Sequence, residues 1–126
     1  MKHTRETYAS VGSDAQERSD CSIRAAATAG CIDYNTAHAV FEKHGRKPCK
    51  PTRFETSMSA LKELFPESEF RTFHGRRVTL AQFVRAFPAG HYVLHVRGHA
   101  LAVCDGVVHD WTPASRRLVR WYWKLA

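Results

Sequence analysis

The chain has 126 residues, 44% of them hydrophobic and 25% charged, which fits one soluble globular domain with its own core and excludes a disordered or fibrous chain. Its formal charge of +7 points to an acidic surface or a polyanion as partner, and says nothing of fold. No apolar run is long enough to span a bilayer, no apolar signal-peptide core opens the sequence, and the four cysteines form no CxxC pair, so free thiols in a cytoplasmic setting are expected.

Residues 1–19 are polar and short of large apolar groups, and read as a loosely held leader ahead of a single domain over 20–126. In DCSIRAAATAG, Asp20 is expected to cap a helix with its carboxylate, the alanine content carries the helix on, and Gly30 stops it. Asp33 is expected to cap a second helix, YNTAHAVFEKH, which Gly45 ends. The basic stretch GRKPCKPTR reads as a loop, and SMSALKELF as a third helix stopped by Pro66. EFRTF alternates like a short strand. Thr79 and Gln82 have capping-box spacing and open the helix LAQFVRAF.

Past Gly90, HYVLHV, HALAVC, VVHDW and RLVRWYWKL are β-branched and aromatic, as strands are. The expected architecture is therefore α+β, with a helical half over about 20–88 packed on one side of an antiparallel sheet over about 90–126. In the last strand, Val119, Trp121 and Trp123 are expected inside, with Arg120 and Tyr122 outside.

Asp105-Gly106 is a two-residue hairpin signal, because a type I′ turn needs positive φ at both central residues. That turn pairs Cys104 with Val107, Val103 with Val108 and Leu101 with Asp110. His99 then shares a face with Leu101 and becomes a diagonal neighbour of Asp110, at roughly 7–8 Å between backbone positions. Ala100, Ala102, His109 and Trp111 fall on the other face.

A thiol at a helix start meets unpaired N–H groups and the positive end of the helix dipole. An imidazolium beside it favours the thiolate further, and a carboxylate on the far ring nitrogen fixes the imidazole tautomer. Cys21, His99 and Asp110 make such a set. The plainer alternatives are a cysteine buried as a small hydrophobe, a strand histidine with a satisfied hydrogen bond, and a carboxylate facing water at a strand end. His91 and His95 are rivals to His99, set aside because Gly98 bends or ends their strand.

The order Cys, His, Asp, with the cysteine opening the first long helix and the histidine on a later antiparallel sheet, resembles the papain-like cysteine peptidase superfamily, chiefly its small bacterial and phage-encoded members. The residues that carry the resemblance are DCSIRA at 20–25, Tyr34, and GHALAVCDGVVHDW at 98–111. It implies Cys21 as nucleophile, His99 as general base and acid, and Asp110 as the group that orients it. The implied reaction is thiol hydrolysis of a peptide or isopeptide bond, or acyl transfer, with no cofactor, in the cytoplasm (the host's, if phage-encoded). Such enzymes also place a Gln or Asn before the cysteine as an oxyanion donor, for which Gln16 is the candidate beside the Cys21 backbone N–H.

His91, His95, His99, Cys104 and His109 crowd one region, but their spacing matches no zinc signature, and no metal is expected. The competing function is a non-enzymatic basic domain that binds nucleic acid or an acidic protein. It would use Lys43, Arg46, Lys47, Lys50 and Arg53 as a basic surface, together with the Arg- and Trp-rich tail.

Overall fold

The computed structural model describes residues 1–13 and 15–125. Six strands and five helices follow one another as β1 (Lys2–Thr4), α1 (Glu6–Ser10), α2 (Cys21–Gly30), α3 (Tyr34–Lys43), α4 (Phe54–Leu64), β2 (Glu69–Thr72), α5 (Leu80–Ala86), β3 (His91–Val96), β4 (His99–Cys104), β5 (Val107–His109) and β6 (Val119–Leu125). Local signals set several of these boundaries. Asp33 accepts the Thr36 N–H at the start of α3, and Thr79 and Gln82 complete a reciprocal capping box on α5. Asp105 (φ 48) and Gly106 (φ 78) form the left-handed turn between β4 and β5, pairing Cys104 with Val107 and Val103 with Val108.

The strands form one α+β sheet in the order β1-β5-β4-β3-β6-β2. The sheet is mixed, because β1 runs parallel to β5, with Lys2 opposite Val107 and Thr4 opposite His109. Residues 1–19 therefore differ from the loose leader expected: three of them extend the sheet and Tyr8 is fully buried.

Helices cover both faces, not one. Ile23, Ala25, Ala26, Ala27 and Ala29 of α2 pack over Val93, Ala100 and Ala102, and α3, α4 and α1 extend this layer. The other face carries Leu94, Val96, Leu101, Val103 and Val108, and α5 covers it with Leu80 and Phe83. The alanine run lets the α2 backbone approach the sheet, since a methyl is all that stands between them.

Gly30 does not stop α2. The helix runs through it and is capped by Cys31 in the left-handed region (φ 53). A Cβ on Gly30 would lie 2.3 Å from the Phe65 ring, so its glycine serves packing. In β6 the ladder to β3 slips by one residue, His95 facing Trp121 and Val96 facing Val119. This bulge moves Val119 to the face of Tyr122, opposite Trp123, and because α5 covers that face with Phe83, Tyr122 is buried and not outside.

Candidate active site

Cys21 is the first residue of α2, entered from Ser19 in the left-handed region (φ 56) and Asp20. The Asp20 carboxylate does not cap the helix, contrary to expectation. It takes the Arg24 Nε–H on both oxygens at 3.1 Å and the Tyr34 hydroxyl at 2.8 Å. An ion pair one turn on and a buried phenol outcompete the helix for this carboxylate. In consequence the backbone N–H groups of Cys21 and Ser22 find no partner among the described residues, and the positive end of α2 stays available.

His99 opens β4 just after the Arg97–Gly98 turn, where Gly98 has φ 69. Its Nε2–H donates to Asp110 Oδ1 at 2.7 Å. Asp110 reaches it differently from the expected ladder pairing with Leu101, because β5 ends at His109 and Asp110 lies one residue beyond the ladder. At this strand end His99 also departs from the Leu101 face and turns to Tyr8 and Cys21 of the helical layer. With Nε2 committed to Asp110, Nδ1 is the nitrogen left for the Cys21 sulfur.

Asp110 is 1% exposed and firmly held. Its Oδ1 also accepts the Trp111 N–H at 2.7 Å, its N–H donates to Thr4 O, and its carbonyl accepts from His3 Nε2 at 2.8 Å. The β1 segment thus fixes the carboxylate that fixes the imidazole.

The ionisations follow from this arrangement. Burial disfavours the Cys21 thiolate, but the His99 hydrogen bond, the Ala100 N–H and the His99 charge outweigh it and lower the thiol below its ordinary value. Burial likewise disfavours the His99 cation, and the hydrogen bonds and charges of Asp110 and Cys21 raise its pKa to about 9. The same contact thus favours the thiolate on one partner and the imidazolium on the other. Cys104 is the contrast: burial, with Cys31 and Asp105 nearby, pushes its thiol up to about 12. Cys21 and His99 are half-buried, the His99 side chain being 17% exposed, so the pair reaches solvent.

Sequence reasoning missed Tyr8. Its hydroxyl donates to Ala100 O at 2.7 Å, and its ring meets His99 and Trp111 edge-on. Burial, and then the charges of Cys21, Asp110 and Asp20, raise its pKa and keep it protonated. Arg24 ties this segment to α2 through the carbonyls of Tyr8 and Ala9 at 3.1 and 2.7 Å. The signal was faint: one tyrosine in a polar stretch.

The other expected residues are placed less favourably. The Gln16 side chain is exposed and makes no hydrogen bond among the described residues; only its carbonyl is engaged, by Cys49 Sγ. Of the basic surface, Arg46 is buried, paired with Glu17 at 2.7 Å, and belongs to no surface, while Lys43 is paired with Glu63 at 2.8 Å. Lys47, Lys50 and Arg53 are exposed. His91 bonds the Ala29 carbonyl, and His95 stacks on Trp121. Among the described residues no three His, Cys, Asp or Glu side chains are grouped to hold a metal, and no helix is long and apolar enough to cross a membrane.

No family model, no curated protein and no solved structure matches the chain.

Proposed function

We propose that the chain is a papain-like thiol hydrolase that opens a peptide or isopeptide bond through an acyl-enzyme on Cys21. One observation carries the reading: a single imidazole, His99, bridges a buried carboxylate at 2.7 Å and a thiol at a helix start whose pKa it lowers. The Cys21 thiolate attacks the substrate carbonyl carbon, and the electron pair moves onto the carbonyl oxygen. The Cys21 N–H, at the positive end of α2 and without a partner among the described residues, is the donor for that developing oxyanion. Collapse of the intermediate expels the amine, which takes the proton from His99 and leaves a thioester. Neutral His99 then takes a proton from water, the hydroxide opens the thioester, and the acid product leaves with the thiolate–imidazolium pair restored. Asp110 holds the ring in the tautomer that both proton transfers need.

Iodoacetamide labelling at pH 7, read by peptide mass mapping, tests this. Cys21 is expected to react ahead of Cys31, Cys49 and Cys104, and to lose its lead in His99→Ala. Equal, slow labelling of all four thiols would overturn the proposal.

A further inference from the structure

The charge of the chain is divided unevenly. Residues 1–69 hold ten Lys/Arg against ten Asp/Glu and residues 70–126 hold nine against two, so the whole +7 sits in the second part. The sheet gathers much of it at one end. Its register sets Thr72 and His95 on either side of Trp121, and Val96 between His99 and Val119, so the ends of β2 and β3 meet the starts of β4 and β6.

At this end Arg97 occupies the β3–β4 turn, two residues before His99, and Arg117 Nη2 donates to its carbonyl at 3.1 Å. Beside them Arg76, Arg77 and Arg120 line one cavity of about 340 Å³, which His74 and Trp121 also border. All five arginines are exposed, and none has a carboxylate within ion-pair distance among the described residues. Five cations gathered at one end of a sheet repel each other, and the ties they make to the fold, Arg117 to the Arg97 carbonyl and Arg120 over the Trp121 ring, do not require such a cluster. Arg97 lies two residues before His99, so the cluster occupies the sheet end that carries the site, and that placement gives it a use.

We infer that this arginine-lined end of the sheet docks an acidic polypeptide segment and presents it to Cys21, an inference that rests on the thiol-hydrolase reading. Guanidinium forks match carboxylates through paired hydrogen bonds. The tryptophans do not suit a nucleic acid: Trp121 is stacked on His95 at 4.8 Å and packed edge-on to Phe54, Trp123 is 3% exposed, and the exposed Trp111 already has Arg5 and Arg24 over its ring and Tyr8 at its edge.

Fluorescence anisotropy with a labelled decaglutamate, on Cys21→Ser protein that cannot turn the peptide over, tests the surface. Binding is expected to weaken about tenfold or more between about 50 and 300 mM NaCl, because exposed charges are screened. It is expected to weaken by about as much in Arg76→Gln/Arg77→Gln/Arg120→Gln, whose thermal midpoint reports that the fold is kept. Absent or salt-insensitive binding, equal binding by the triple variant, or tighter binding of an oligothymidylate of the same charge overturns the inference. Iodoacetamide labelling of wild-type protein separates the two levels. Fast Cys21 alkylation without decaglutamate binding overturns the docking surface alone, whereas slow Cys21 alkylation overturns the thiol reading beneath it.

Discussion

Replacing Asp110 by Asn removes the charge that holds His99 as an imidazolium and keeps a side chain of the same shape. In the native protein burial works against that cation, yet Asp110 and Cys21 together raise the His99 pKa from 6.5 to about 9. At about 1.4 kcal/mol per pH unit, the net preference for the cation is about 3 kcal/mol. The hydrogen bond and charge of Asp110 make up the larger share of the favourable causes, so its loss removes at least half of this, about 1.5 kcal/mol, or about tenfold in the equilibrium that moves the Cys21 proton onto His99. The sign follows directly. Native His99 keeps its proton up to about pH 9 while Cys21 loses its own below the ordinary thiol value, so the ion pair fills the window between. In Asp110→Asn the ring discharges earlier, and the thiol, without its counter-charge, climbs back toward about 8.5. Iodoacetamide labelling of Cys21 followed from pH 5 to 10 should show a native rate that rises early and stays level through neutrality. The Asn variant should be about tenfold slower near pH 6–7, with its rise displaced upward. Above about pH 9 the two should converge, or the variant overtake slightly, since a more basic thiolate is the better nucleophile. Superimposable profiles would mean that Asp110 takes no part in the thiol's ionisation, and the reasoning would fail.

Two further predictions concern the frame of the site. Burial disfavours the Glu17 carboxylate, but Arg46, His38 and the Cys49 N–H overcome it and hold its pKa at about 2. A carboxyl depressed from 4.5 in this way stabilises the fold fully above 4.5, and that contribution fades as pH falls toward 2, by about 3 kcal/mol in all. Glu17→Gln should therefore lose about 3 kcal/mol in urea unfolding at pH 7, with buried Arg46 left unpaired, and show a flatter loss of stability below pH 4.5. An unchanged urea midpoint would refute this. Gly30→Ala should be destabilising by about 1–3 kcal/mol, although alanine is ordinarily worth about 1 kcal/mol over glycine in a helix, because the new Cβ would stand 2.3 Å from the Phe65 ring. Phe65→Leu in the same chain should recover part of the loss, and a Gly30→Ala protein more stable than native would show that the ring gives way freely.

What was legible in the sequence was what short stretches decide among themselves. Asp33, the Thr79–Gln82 box and the Asp105–Gly106 turn each act within four residues, and each does what its chemistry dictates. The hairpin turn sets a register, and the register brings His99 and Asp110 together even though Asp110 has already left the ladder. What was not legible depends on partners far along the chain. Asp20 is a cap by local rules, but Tyr34 and Arg24 compete for it and win. Arg46 reads as one more surface charge until Glu17, 29 residues earlier, is found against it. Tyr122 does alternate with Trp121 and Trp123, but its face is covered by α5, which one-sided packing does not foresee, and a bulge opposite His95/Val96 brings Val119 to the same face.

The first thirteen residues show why this gap falls at the site. A carboxylate orients an imidazole well only when water does not compete for it, so Asp110 must be covered, and a covered carboxylate needs its hydrogen bonds supplied by protein. The hairpin that carries Asp110 cannot do both, because β5 stops at His109. The cover comes from the chain's start: Thr4 and His3 of β1 take up the Asp110 backbone, and Tyr8 closes over His99 while holding the Ala100 carbonyl. That tie also helps to hold Ala100 in place, and the N–H of Ala100 is one of the groups that favour the Cys21 thiolate. The segment that reads as a leader is thus a wall of the candidate site, and the hold on Asp110 comes from three residues whose sequence, Lys-His-Thr, carries no hydrophobic pattern of its own.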